Sequence, residues 1–366
     1  MTGVRFNPAV LKPILLSGVF LLLVFAPFYL GEYNLSLLGR VLALAVAALG
    51  ICVIWGRTGI LSLGQGVFFG LGGYALAMHL KLVATPKGEL PDFMLYNGLE
   101  ALPFWWKPFA SPAFAVAMVL VIPALVAAFI GWLMFRRRLT GVYVSIITQA
   151  VALAFVTLLI GSQGYTSGTN GITDFQSFLG VSLRGNDYEH GLYWVTLAIL
   201  ALAFVGTTWL LGTHFGKLLT AIRDGENRVR FLGYNPASYK VAAFALGGLL
   251  GGVSGALYTL HLGTVSPAVI GVVPSIELVV WVALGGRASP TGAVAGMILG
   301  NLAKDRISSA VPDAWLYIMG SLFVLVVLVL PEGLAGLFKR LISGFSPDLT
   351  TQPDMKEVSN DATSPF

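Results

Sequence analysis

T-H-F-G-K-L-L-T-A-I-R-D-G-E-N-R-V-R-F-L-G-Y-N-P-A-S-Y-K, residues 213–240, is a polar island between two long apolar runs, 191–211 and 241–262. Each run is long enough to cross a bilayer, so the island lies at a membrane face. Leu218, Ala221 and Ile222 fall at i, i+3 and i+4, which predicts one apolar helical face, and Asp224-Gly225 breaks that helix. A second short helix is expected to start near Glu226, whose charge suits an N-terminal dipole, and to stop at Gly233 before Asn235-Pro236. Charges of both signs and glycine punctuation suit a protein-docking knob better than a lipid-binding face.

The rest of the chain has the composition this frame requires. Of 366 residues, 56% are hydrophobic and 11% charged, with a mean hydropathy of +0.82. Soluble domains carry about 25% charged residues, so this is an integral membrane protein. The net charge of +5 does not point to nucleic acid, because the basic residues sit in short loops between apolar runs. The single cysteine, Cys52, lies in an apolar run and permits no intramolecular disulfide.

Spanning runs are read at residues 11–30, 37–55, 60–80, 112–135, 141–161, 191–211, 241–262 and 316–330. Between them, 271–286 and 289–303 are apolar but short, with Gly285, Gly286, Arg287 and Pro290 at the junction. Two short or broken helices there give an all-α membrane protein of about ten crossings. The positive-inside rule then puts Arg5, Lys12, Arg57, Arg136 to Arg138, the island, Lys339 and Arg340 in the cytoplasm, with both termini. Segments 81–111 and 162–190 fall on the other side, where Lys81, Lys87 and Lys107 are offset by Glu89, Asp92 and Glu100. The expected organisation is an N-terminal segment with the first span (1–36), a transmembrane domain (37–342) and a disordered tail (343–366), with the first span retained rather than cleaved.

Small residues form two stripes at a spacing of four: Gly247, Gly251 and Gly255, then Gly292, Gly296 and Gly300. Such stripes let helices approach closely where lipid provides no hydrophobic drive, and a solute lining or a surface for a second membrane subunit is the alternative use. In G-R-T-G-I-L-S-L-G-Q-G-V-F-F-G-L-G-G-Y, residues 56–74, Ser62, Gly66, Gly70 and Gly73 lie near one face, with Gln65 inside the apolar run. That density of glycine tolerates a broken helix, and the Gln65 amide needs a partner or a polar cavity.

Catalytic patterns are missing. There is no H-E-x-x-H or G-x-S-x-G, the four histidines are scattered, and Gly212 to Lys217 lacks the spacing of a phosphate loop. No cofactor, no metal site and no ATPase site of its own is expected. Glu277 is the main carboxylate within a span, placed either at a polar cavity or in a pair with a helix end.

The chain resembles the branched-chain amino-acid type of ABC transporter permease, and within it the urea-transporter branch. The resemblance is carried by W-G-R-T-G-I-L-S-L-G-Q-G-V-F-F-G-L-G-G-Y (55–74), T-G-V-Y-V-S-I-I-T-Q-A (140–150), T-S-G-T-N-G-I (166–172), F-G-K-L-L-T-A-I-R-D-G-E-N-R-V-R-F-L-G (215–233) and V-A-L-G-G-R-A-S-P-T-G-A-V-A-G (282–296). The insert L-P-D-F-M-L-Y-N-G-L-E-A-L-P-F-W-W-K-P-F (90–109) points to the urea branch. The resemblance implies a subunit of an ATP-driven importer in the bacterial inner membrane. Its implied partners are a related second permease, two cytoplasmic ATPases and a periplasmic substrate-binding protein. It also implies that the island is the ATPase-coupling loop, with Gly216, Arg223, Glu226 and Gly233 as its key positions, although Asn227, Arg228 and Val229 stand where relatives often carry small residues. A small neutral solute such as urea calls for amides and hydroxyls, which makes Gln65, Ser145, Thr148, Gln149, Thr169 and Asn170 path candidates, with Glu277 beside them. A permease for branched-chain amino acids or short amides, a lipid-handling membrane enzyme and a purely structural subunit are the competing readings.

Overall fold

A computed structural model describes residues 8–86, 88–178, 180–182, 185–329 and 333–342. Arg5, Lys87 and the expected tail at 343–366 lie outside them. The helices run α1 Pro8–Tyr29, α2 Glu32–Ile51, α3 Gln65–Ala84, α4 Asp92–Tyr96, α5 Pro112–Arg136, α6 Val142–Gly161, α7 Gln163–Thr166 and α8 Asn186–Gly212. They continue with α9 His214–Phe231, α10 Pro236–Leu262, α11 Val272–Gly285, α12 Pro290–Ala310, α13 Trp315–Val329 and α14 Gly333–Ile342. An antiparallel hairpin, β1 Ser177–Phe178 with β2 Val181–Ser182, precedes α8.

Among the described residues, seven helical stretches are long and apolar enough to cross a membrane, against the ten crossings expected. Two helices fall short for physical reasons: α13 has 15 residues, and the 21-residue α12 carries Lys304, Asp305 and Arg306. The sequence also placed a span at 60–80, whereas α3 begins only at Gln65. Ahead of it, α2 passes into a π-helical turn, Cys52–Arg57, and residues 59–64 are not helical. Ser62 therefore lies in the break and not on a helix face with Gly66 and Gly70. The stretch 289–303, read as short, is instead one continuous helix to Ala310.

Helix α10 is the hub, packed on α2, α3 and α5. Its glycines explain how three helices reach it. A Cβ at Gly247 would collide with Ile54, one at Gly251 would stand 3.2 Å from the Phe68 Cβ, and one at Gly255 would overlap the Phe69 carbonyl. The next row, Gly248 and Gly252, faces α5 at Pro123, a second glycine face that the stripe reading missed. Pro123 has no N–H for the Val119 carbonyl, and that oxygen would stand 2.8 Å from a Cβ at Gly252. Helix α12 meets α11 in the same way: a Cβ at Gly292 would lie 2.7 Å from the Gly285 carbonyl, while Gly296 and Gly300 press on the Trp281 backbone and indole. Close backbone contact supplies the van der Waals attraction that lipid-exposed helices need.

With 27 residues, α10 is roughly 40 Å long. It carries the chain from the island end to the opposite end, where Ile172 and Val265 pair through N–H to carbonyl bonds of 2.8 and 3.0 Å. There Phe93, Met94 and Phe109 of the 90–109 insert bury themselves, and Trp106, Phe109 and Phe114 meet edge to face.

Candidate functional site: a coupled helix break

The island range α9 is two helical segments that meet at a non-helical kink at Gly225 (φ −172°, ψ 76°), the break expected at Asp224-Gly225. Leu218, Leu219, Ile222 and Val229 are buried, whereas Ala221, expected on the same face, is exposed. Gly216 is buried because a Cβ there would strike the Leu211 backbone. Gly233, at φ +87°, ends the island helix and donates its N–H to the Arg230 carbonyl at 3.0 Å. The two residues before it, Phe231 and Leu232, are 92% and 76% exposed. Sequence reading passed over this apolar pair, whose only signal is that it breaks the polar pattern at the helix end.

Two island charges turn inward. Glu226 opens the segment after the kink, as expected, but its carboxylate does not stay free: it accepts from Arg230 at 3.0 Å and pairs with Lys240, whose buried ammonium lies 5.9 Å from the Phe135 ring centre. Arg223 donates from Nη1 to the Gly56 carbonyl at 3.0 Å and from Nε to Asp224 at 2.8 Å. Gly56 lies in the π-helical turn, where Arg287 also stacks over Trp55, 4.8 Å from the ring centre. Irregular turns of this kind often mark functional hinges.

Beyond that turn, the helix break is held by side chains instead of helical bonds. Ser145 donates to the Leu61 carbonyl at 2.7 Å, and Thr148 accepts from the Leu63 N–H at 3.1 Å while donating to the Ser145 carbonyl at 3.0 Å. Ser275 of α11, absent from the sequence candidates, accepts the Gly66 N–H at 3.0 Å and donates to the Gly271 carbonyl at 2.9 Å. A broken backbone inside a membrane requires such partners. Two groups in it have none: Ser62 Oγ and Gln65 Nε2 are buried without a hydrogen bond. The structure thus brings Gln65, Ser145 and Thr148 to one place, with half-buried Gln149 next along α6. Because Thr148 satisfies a half-buried amide inside the break, Thr148→Val should destabilise the detergent-solubilised protein by about 1 kcal/mol, read as a lower thermal midpoint. An unchanged midpoint would show that the amide finds another partner.

Thr169 and Asn170 lie elsewhere, in an exposed cleft at the insert end with Asn97, Gln163 and Ser167. Its charges are matched, since buried Lys81 reaches Asp92 at 3.0 Å and the Thr173 carbonyl at 3.3 Å. Burial alone would raise the Asp92 carboxyl, but hydrogen bonds from Lys81 and the Phe93 amide, with the Lys81 charge, hold it below the usual carboxylate value. A depressed folded-state value means that the contact stabilises above the unfolded value near 4 and is lost as pH falls through the folded one. Asp92→Asn should therefore flatten the acid limb of a thermal-midpoint profile below about pH 4; an unaltered limb would assign it to other groups. Glu277 stands apart as well, paired with Lys304 of α12 at 2.6 Å and accepting from Trp281 Nε1 at 3.3 Å.

A helix-rich membrane protein with a broken helix beneath a helical loop is the general form of a transport subunit. The family model "branched-chain amino acid transport system / permease component" matches residues 33–328, and the chain belongs to that family. It is similar to the high-affinity branched-chain amino acid transport system permease protein LivM of Escherichia coli K12, at 26% identity over 88% of this chain and 75% of that protein. The probable LivM of Methanocaldococcus jannaschii is 24% identical over 80% of this chain and 94% of its own. The xylose transport system permease protein XylH of E. coli K12 is 24% identical over 64% of this chain and 74% of its own. No solved structure matches. The chain is a membrane permease subunit of an import system and not an enzyme.

Proposed function

We propose that this chain forms half of the solute path of an ATP-driven importer and that its solute is small, neutral and rich in amide groups, urea first among them. The reading rests on the helix break, where Ser62 Oγ and Gln65 Nε2 stand buried and unpartnered beside Ser145 and Thr148. Uncharged donors and acceptors fit a neutral solute, and an unpaired buried amide is costly unless something occupies it in turn. In this proposal the chain makes ten crossings of the bacterial inner membrane, including α1, α12 and α13, with both termini cytoplasmic. A related permease completes the path, one of two cytoplasmic ATPases docks on α9 and the other on the related permease, and a periplasmic binding protein delivers the solute at the insert end. Exposed Phe231 and Leu232 suit an ATPase cleft, while Arg223 passes its movement to Gly56.

A branched-chain amino acid is the second reading, favoured by the Glu277 to Lys304 pair, which offers both signs to a zwitterion, and by the substrate named for the LivM relatives. Uptake of labelled urea in cells lacking the gene, with and without the restored chain and challenged with excess leucine or acetamide, separates the two. Loss, rescue and indifference to leucine support urea. Intact urea uptake with impaired leucine uptake overturns it in favour of the amino acid.

A further inference from the structure

The island end of α5 carries Arg136, Arg137 and Arg138, and none of them forms an ion pair among the described residues. Arg136 packs on Trp132, 5.1 Å from the ring centre, and two adjoining clefts run from Trp132 across Arg136 and Arg138 to Arg230, Tyr234 and Asn235. No acidic residue lines either cleft among the described residues. The second cleft closes on the first turn of α10, where Asn235 Oδ1 accepts the Ala237 N–H at 3.2 Å and the helix dipole adds positive potential.

The backbone adds an independent observation. Helix α5 ends in a Schellman turn, with Leu139 N–H on the Met134 carbonyl at 3.2 Å and Arg138 N–H on the Phe135 carbonyl at 3.1 Å. Its left-handed position, φ +57°, is normally glycine or asparagine, but here it is Arg138. A strained conformation kept for a long cationic side chain points to a use for that side chain. Up the same helix, Leu125, Phe129, Trp132 and Leu133 are exposed, a continuous apolar track leading away from the arginines.

We propose that these clefts bind the phosphate headgroup of an anionic phospholipid, with its acyl chains along the exposed face of α5, and that the lipid braces the end of α5 against the island and the start of α10. The apolar track favours a lipid over a soluble phosphate, and basic pockets at helix ends are recognised lipid sites.

Native mass spectrometry of the full chain, with phosphatidylglycerol against phosphatidylcholine and soluble glycerol 3-phosphate as competitor, tests it. Wild type should retain phosphatidylglycerol preferentially, and Arg138→Gly should lower that retention about fivefold, the effect of one interfacial cation. The same variant relieves the strained turn, so its thermal midpoint should hold or rise, which separates lost binding from lost fold. Arg228→Gln, on the exposed island face outside the clefts, should retain the lipid. Equal retention by Arg138→Gly, an equal loss in Arg228→Gln, or displacement by equimolar glycerol 3-phosphate would each overturn the lipid site.

Discussion

Gly255→Ala should leave little folded protein in the membrane, although it adds only one methyl group. The new Cβ would overlap the Phe69 carbonyl, and three residues along α3, a Cβ at Gly72 would overlap the Gly252 carbonyl. The obstacle is backbone on both sides, so no rotamer change relieves it and α3 must back away from α10. Overpacking of this kind costs about 1–3 kcal/mol where side chains can yield, and more where they cannot. Since α10 also carries α2 and α5, the displacement spreads to the whole hub. The measurement is the yield of monodisperse solubilised protein and its thermal midpoint. Gly206→Ala is the control, because nothing lies within 4 Å of a Cβ at that helical position and alanine is the better helix former. Equal loss in both variants, or in neither, would refute the close crossing.

Arg223→Ala should fold normally and break the link between hydrolysis and transport. In the reconstituted transporter, ATPase activity should persist while solute moved per ATP falls about tenfold, because one partly exposed charged hydrogen bond is worth about 1.5 kcal/mol. The effect follows from position: Arg223 hydrogen-bonds from the island to the π-helical turn, and a Cβ at Gly59, just beyond that turn, would stand 3.0 Å from its Cγ. Arg223→Lys keeps the charge but cannot bridge Gly56 and Asp224 with a fork, so it should recover only part of the coupling. A parallel fall in hydrolysis and transport would reassign Arg223 to direct ATPase contact, the role expected from sequence.

The pattern of spans, the island and the glycine stripes were legible because periodicity, charge and residue size act locally. Gly225 and Gly233 announced their breaks through backbone chemistry. What escaped depended on distant partners. Glu226 was legible as a helix start but its partner was not, because Lys240, fourteen residues away, cannot be read as its partner from spacing. Ser275 gave no signal since its role is set by the Gly66 amide, 209 residues off in sequence. The candidate site was therefore half legible: Gln65, Ser145 and Thr148 converge, whereas Thr169, Asn170 and Glu277 belong to other surroundings that only the packing of α4, α7 and α12 defines.

Arg223 grips a main-chain oxygen, and so do Ser145 and Ser275 in the break. A main-chain oxygen is present whatever residue stands at 56, 61 or 271. On the proposed reading, the drive and the choice of cargo are thus written in separate alphabets. Ser62 and Gln65, the path side chains left unpartnered, can be exchanged to retune selectivity without rebuilding the lever, which makes this scaffold a practical starting point for redirecting an importer to a new solute.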